Sequence, residues 1–395
     1  MFNNDSIVDS WPQLQKPLVL SLAGLAALTP IYYYYQNHIH SGKKKLSASK
    51  SSSEFESPVI EPVDASFNWE TAEPHPYRPF KYGDYKMTLA IRKQEAQEMF
   101  TIENSYKDRT KLRAKMFEQE KLYYCHPSAV PALKETYSFI FSTLTKRYPM
   151  YFVIENDKII NKINKVEIPL SPENLEIDEM LRLIATNIEE DFLILIKNLE
   201  SEEIDEYYLR AAVSLFPAGF NPIEKIDLPL TQIHEPVPNY KEKLQFSMNK
   251  FFARLKVNEF IVRNNWSIQC HTNLCAPTGS HASETEAQNL PEFDPQELDY
   301  NKCFFRVEKQ SFTRLPESKA DLMTIRTYVT PLMQLRETLD AEETERLCSA
   351  IDGLNKKNQF DVYKRKIQWG TAAKAFLRRE TDGAVKEHIP YKFVH

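Results

Sequence analysis

The chain has 395 residues, with 50 Lys+Arg against 55 Asp+Glu, 42% hydrophobic residues and 27% charged. That balance excludes a wholly disordered chain, and a net charge of -5 supplies no basic excess for gripping nucleic-acid phosphates. Eight glycines, with no G-x-G-x-x-G or G-x-x-x-x-G-K-[ST] among them, exclude a Rossmann turn or a P-loop.

In chain order, a tail over 1–16 precedes an uncharged run from Pro17 to Tyr35 that ends in four tyrosines. Nineteen such residues reach across a ~30 Å hydrocarbon core, and the tyrosines suit the interface. The run predicts a single transmembrane helix over 17–36. Lys43, Lys44, Lys45 and Lys50 follow it, against Lys16 alone before it, so the C-terminal body is expected on the cytosolic side. An endoplasmic-reticulum or other intracellular membrane fits. Residues 37–66 are Ser/Lys-rich and read as a linker, 67–385 as one folded domain, and 386–395 as a tail.

Within the domain, apolar spacing predicts helices over Thr110 to Tyr123, Val130 to Arg147, Asn174 to Ile188, Tyr240 to Leu255 and Ala341 to Leu354. β-Branched and aromatic runs predict strands over Tyr151 to Glu155, Phe192 to Ile196, Ala211 to Phe216, Ile261 to Gln269, Phe304 to Lys309 and Leu322 to Tyr328. Strand follows strand without helical crossovers, which favours α+β with an antiparallel sheet. Ala276 to Pro295 reads as an inserted loop. The five cysteines form no C-x-x-C pair, so reduced thiols are expected rather than a zinc or iron–sulfur site.

Four segments could carry chemistry. Leu215 to Tyr240 holds five prolines, which predict a rigid extended path, and His234 stands within it as a candidate metal or haem ligand. His126, His271 and His281 have no paired ligand spacing. Arg263-Asn264-Asn265-Trp266 lies on a predicted strand. On the next, alternation puts Arg306, Glu308 and Gln310 on one face; on a third it sets Arg326 and Tyr328 opposite Ile325. Inward-facing charges on strands are either paired or used, and spacing alone leaves both open.

Together these segments resemble the haem-dependent oxidative N-demethylase-like (HRQ) family of bacteria and fungi, here as a fungal, membrane-anchored member. The matching pieces are Phe80-Lys81-Tyr82-Gly83-Asp84-Tyr85-Lys86-Met87-Thr88 with Arg92, Glu190-Asp191-Phe192, and Phe216-Pro217 through Lys225. Ile233-His234-Glu235-Pro236-Val237-Pro238, Arg263-Asn264-Asn265-Trp266, Arg306-Val307-Glu308-Lys309-Gln310 with Arg314-Leu315-Pro316, and Thr324-Ile325-Arg326-Thr327-Tyr328 complete the set. The resemblance spans about 67–335. It implies a PAS-like antiparallel sheet carrying haem b, and oxidative N-demethylation of a small amine with O2. Electrons would come from a separate flavin and iron–sulfur reductase, since this chain has no flavin or nicotinamide motif. By the same resemblance His234 is the axial ligand, and Arg263, Arg306 and Arg326 pair the haem carboxylates. Glu308 and Tyr328 would handle protons. Lys309, Ser311 and Phe312 depart from the family's Arg, Thr and Leu. The alternatives are a non-catalytic PAS-like haem or small-molecule sensor at a membrane and, less favoured, a membrane-tethered glycosyltransferase.

Overall fold

A computed structural model describes residues 58–197 and 206–384, all within one unit running from Phe55 to His395. The transmembrane, linker and tail assignments over 1–57 and 385–395 lie outside those residues. Among the described residues no helix is long and apolar enough to cross a membrane.

Seven strands form one antiparallel sheet: β1 (Arg92–Lys93), β2 (Tyr123–Cys125), β6 (Asp191–Lys197), β7 (Tyr207–Val213), β8 (Ile261–Gln269), β9 (Phe304–Arg314) and β10 (Asp321–Pro331). Their order is β1-β8-β9-β10-β6-β7-β2. A separate three-stranded meander joins β3 (Phe152–Glu155), β4 (Lys158–Asn161) and β5 (Val166–Pro169). The expected α+β class with an antiparallel sheet flanked by helices is what the chain builds.

β9 and β10 pair rung for rung from Arg314↔Asp321 to Phe304↔Pro331. They run longer than apolar alternation predicts, because the polar Gln310, Ser311 and Thr313 continue the backbone ladder. Register then sorts side chains by face. Arg263↔Gln310↔Ile325↔Asp191 share one face, and Asn264↔Lys309↔Arg326 share the other.

Helices cover the second face. Tyr106–Glu120, Val130–Arg147 and Ile177–Ala185 pack near Phe192 and Ile194, while Leu332–Thr338, Ala341–Asp352 and Lys366–Leu377 pack near Trp266, Phe305 and Val307. Asp340 starts one of them with a capping box, accepting from Glu343 N at 2.8 Å. On the first face Leu193, Leu195, Ile261, Phe312 and Ile325 pack against Leu244, Met248 and Phe252. The last three lie on a π turn, Lys241–Gln245, that leads into the helix Phe246–Arg254.

The proline-rich segment is not extended throughout. Two short helical turns, Pro222–Lys225 and Leu230–Ile233, interrupt it. Proline is tolerated in the first turn of a helix, where its missing N–H leaves no bond unmade. Here Pro222 is the first residue of one turn and Pro229 the N-cap of the other.

Candidate functional site: a cavity between the sheet and the proline-rich segment

Between the first sheet face and the 217–252 segment lies a cavity of ≈ 590 Å³, within the range of small-molecule and cofactor sites. Its floor is β8 and β9, through Arg263, Asn265, Glu308 and Gln310. Its opposite wall is apolar, with Leu230, Ile233, Leu244, Met248 and Phe252.

His234 caps the C-terminus of the Leu230–Ile233 turn and lines the cavity. Its Nδ1 lies 2.8 Å from the Leu230 carbonyl oxygen, and its ring stacks on Tyr240 at 4.9 Å and 9°. A carbonyl accepts only, so Nδ1 carries the proton and Nε2 keeps its lone pair. Burial pushes the imidazole below its usual range, and Arg263 adds to the effect. The ring is held neutral, as a ligand must be, by the kind of carbonyl contact that orients ligating histidines.

A second histidine reaches the cavity with the same local design. His281 Nδ1 lies 3.0 Å from the Tyr363 carbonyl oxygen, and its ring stacks on Tyr363 at 4.2 Å and 8°. Burial and the Lys364 charge push it down to about 4. Gly219 makes the room: at φ +83°, a Cβ there would stand 2.4 Å from His281 Cδ2. Sequence spacing passed His281 over because its neighbours in the site come from distant segments.

Lys364 was also missed. It is buried, and its Nζ donates to Asn265 Oδ1 at 3.0 Å and to the Trp266 carbonyl at 2.5 Å. Burial lowers it to about 8, and Glu308 only partly offsets that. Glu308 accepts long bonds from Arg306, Asn265 and Gln310 at 3.3–3.4 Å. No local motif marks Lys364; only tertiary placement does.

The three candidate arginines part company here. Arg263 lines the cavity, and its buried Nε meets no partner among the described residues. Arg306 shares that sheet face but is spent. It donates to the carbonyls of Phe216 (2.5 Å) and Leu274 (3.2 Å), to Gln269 Oε1 (3.3 Å) and to Glu308. Arg326 lies on the opposite face, closed in by Glu103 (2.6 Å), Glu189 (2.7 Å) and Glu190 (3.0 Å), with Nη1 on the Thr101 carbonyl. Tyr328 is beside it, donating to Glu103 at 3.3 Å. The cavity thus brings together His234, Arg263 and Glu308; Arg326 and Tyr328 belong to a separate ionic centre under the helices. Of the family departures, Lys309 and Ser311 also face the helices, and only Phe312 lines the cavity.

Among the described residues no group of three or more His, Cys, Asp or Glu side chains is placed to hold a bare metal ion. A metal brought in by a macrocycle needs less from the protein, namely one neutral axial nitrogen and cations for its carboxylates. His234, and Arg263 with an Nε that meets no partner among the described residues, fit that need. A family model described as haem-dependent oxidative N-demethylase, alpha subunit-like, matches residues 90–374. No curated protein matches the chain.

Proposed function

Because the chain belongs to the haem-dependent oxidative N-demethylase, alpha subunit-like family, we propose that the cavity binds haem b and serves the oxidative N-demethylation of a small amine. The carrying observation is an Arg263 Nε with no partner among the described residues, on the same cavity as the pre-oriented His234. His234 would ligate the iron through Nε2, and Arg263 would pair a carboxylate in bidentate fashion. Bound there, haem supplies the one-electron and O2 chemistry that no side chain of this protein can perform.

The chain's own residues bind and orient. Glu308, a carboxylate held by three weak bonds, is suited to accept a proton from an ammonium substrate. Neutral His281 offers a second acceptor, and Lys364 at about 8 sits where a proton can be given or taken near neutral pH. The apolar wall of Leu230, Ile233, Leu244, Met248 and Phe252 offers water no side-chain hydrogen-bond partner. Electrons would come from a separate reductase, and the uncharged 17–36 segment would hold the chain to a membrane with this domain on the cytosolic side.

The test is haem titration of the full chain, followed by assay with a flavin and iron–sulfur reductase, NADPH and a panel of secondary amines. Stoichiometric haem uptake with amine-dependent aldehyde release is expected. Haem uptake with no turnover for any amine would instead favour the sensor reading, and a folded chain that takes up no haem would refute both.

A further inference from the structure

β8 and β9 end with Gln269 opposite Phe304. Continued by one rung, the register sets Cys270 opposite Cys303. Directly opposed residues of an antiparallel pair have Cα atoms about 4.5–5.5 Å apart, inside the about 4.4–6.8 Å that a disulfide spans. Both thiols are free and belong to the same packed cluster, with the Cys303 thiol donating to the Asp299 carbonyl at 3.8 Å. Cys303 is wholly buried while Cys270 is partly open to solvent. One sulfur can meet a dissolved oxidant and the other waits behind it.

The rung also has a strategic neighbour. Gln269, one residue before Cys270, accepts from Arg306 and donates to the carbonyls of His271 (2.9 Å) and Asn273 (3.3 Å). Arg306, three residues after Cys303, ties the Phe216 and Leu274 carbonyls together. Pro217 O then accepts from Ala276 N, and Ala276 O from Gly219 N, the residue that cradles His281. The end of the β8–β9 ladder therefore anchors both loops at the cavity's rim.

We propose that Cys270 and Cys303 are a peroxide-oxidised thiol pair whose disulfide locks this anchored rim. The Cys270 sulfur attacks a peroxide oxygen, the O–O bond breaks, and hydroxide leaves as water with the thiol proton, giving a sulfenic acid. The Cys303 sulfur then displaces that hydroxyl, which takes the Cys303 proton and departs as a second water. Two thiols lose two electrons and hydrogen peroxide gains them. The order follows from access: Cys303 is buried with its thiol on the Asp299 carbonyl, so the peroxide meets the partly open Cys270 first. Transient disulfides of this kind are the ones expected in a reducing compartment. Closing the chain between the two positions lowers the unfolding equilibrium by at most roughly 500-fold on loop-entropy grounds.

The test needs no haem. The full chain is reduced, treated with hydrogen peroxide, alkylated and mapped by peptide mass under non-reducing conditions. The expected product is a peptide pair joining Cys270 to Cys303, reversed by dithiothreitol and accompanied by a rise in Tm. Cys303→Ser should leave a sulfenic acid at Cys270 that dimedone traps. A Cys270 that reaches only sulfinic acid, or that links to Cys275, overturns the proposal, as does a Cys303 that remains fully alkylatable after unfolding.

Discussion

At the scale of single residues, what separates the arginines is their bonding. Alternation in the sequence identified Arg306 and Arg326 as strand residues with inward charge, and both are buried. It could not tell a spent guanidinium from a free one, because the partners lie far away in sequence. Glu103 is more than two hundred residues from Arg326, and the Phe216 carbonyl ninety from Arg306. Arg326 bonds three glutamates at once, and burial pushes the Glu189 pKa upward. Removing it leaves buried carboxylates uncompensated, so Arg326→Met should destabilise by about 3–5 kcal/mol in urea unfolding. A loss under about 1 kcal/mol, the range of surface pairs, would show that this centre is not structural.

His281 gives a pH signature. The unfolded imidazole takes a proton near pH 6.5, but the folded one resists until about 4. Between those values the unfolded state binds more protons, so stability falls as pH drops. The loss approaches about 3 kcal/mol once pH passes below the folded value. In urea titrations from pH 7 to 4, His281→Gln should flatten that slope; an equal slope in both proteins would contradict the assignment.

At the scale of elements, the helix Val130–Arg147 and strand β8 stand where the sequence puts them, residue for residue. Both carry strong periodicity over a long run. The β4–β5 hairpin and the helix Lys366–Leu377 were not foreseen. The first has strands of four residues each. The second buries Trp369, Ala372, Ala373, Phe376 and Leu377 on one stripe, but Ile367 and Ala375 off that stripe and a buried Gln368 beside it blunt the amphipathic contrast a periodicity reading needs. The proline-rich segment misled in a different way. Prolines that break a helix interior also begin helices, and the turn ending at His234 is one that they begin.

That segment meets the second cavity histidine at Gly219. Gly219→Ala would strain a left-handed backbone and drive a methyl into the His281 ring. The expected cost is about 1–3 kcal/mol, with the His281 pKa relaxing toward 6.5 as the ring leaves its stack on Tyr363. An NMR titration of the imidazole reads this directly; an unmoved pKa would mean that the ring does not depend on the glycine.

At the scale of the whole molecule, one seven-stranded sheet separates two polar centres. The ionic cluster around Arg326 lies under the helices, where the guanidinium bonds three glutamates and the result is cohesion. The cavity on the other face gathers an Arg263 Nε with no partner among the described residues, two histidines and a lysine whose pKa values burial pushes down, the kind of perturbed cluster that marks functional sites. The fold class was legible because it follows from local periodicity. The sidedness of the site was legible only in fragments: parity within each strand was readable, but strand order and register, which decide whose faces coincide, arise from long-range pairing.

The central claim is that His234 is the iron ligand of a haem held in this cavity. The most direct measurement is the absorption spectrum of the haem-loaded full chain beside that of His234→Ala, with and without added imidazole. The account predicts that the variant loses the histidine-ligated spectrum and that free imidazole, filling the vacated space, restores it. An unchanged spectrum in His234→Ala, with the loss appearing in His281→Ala instead, would contradict it.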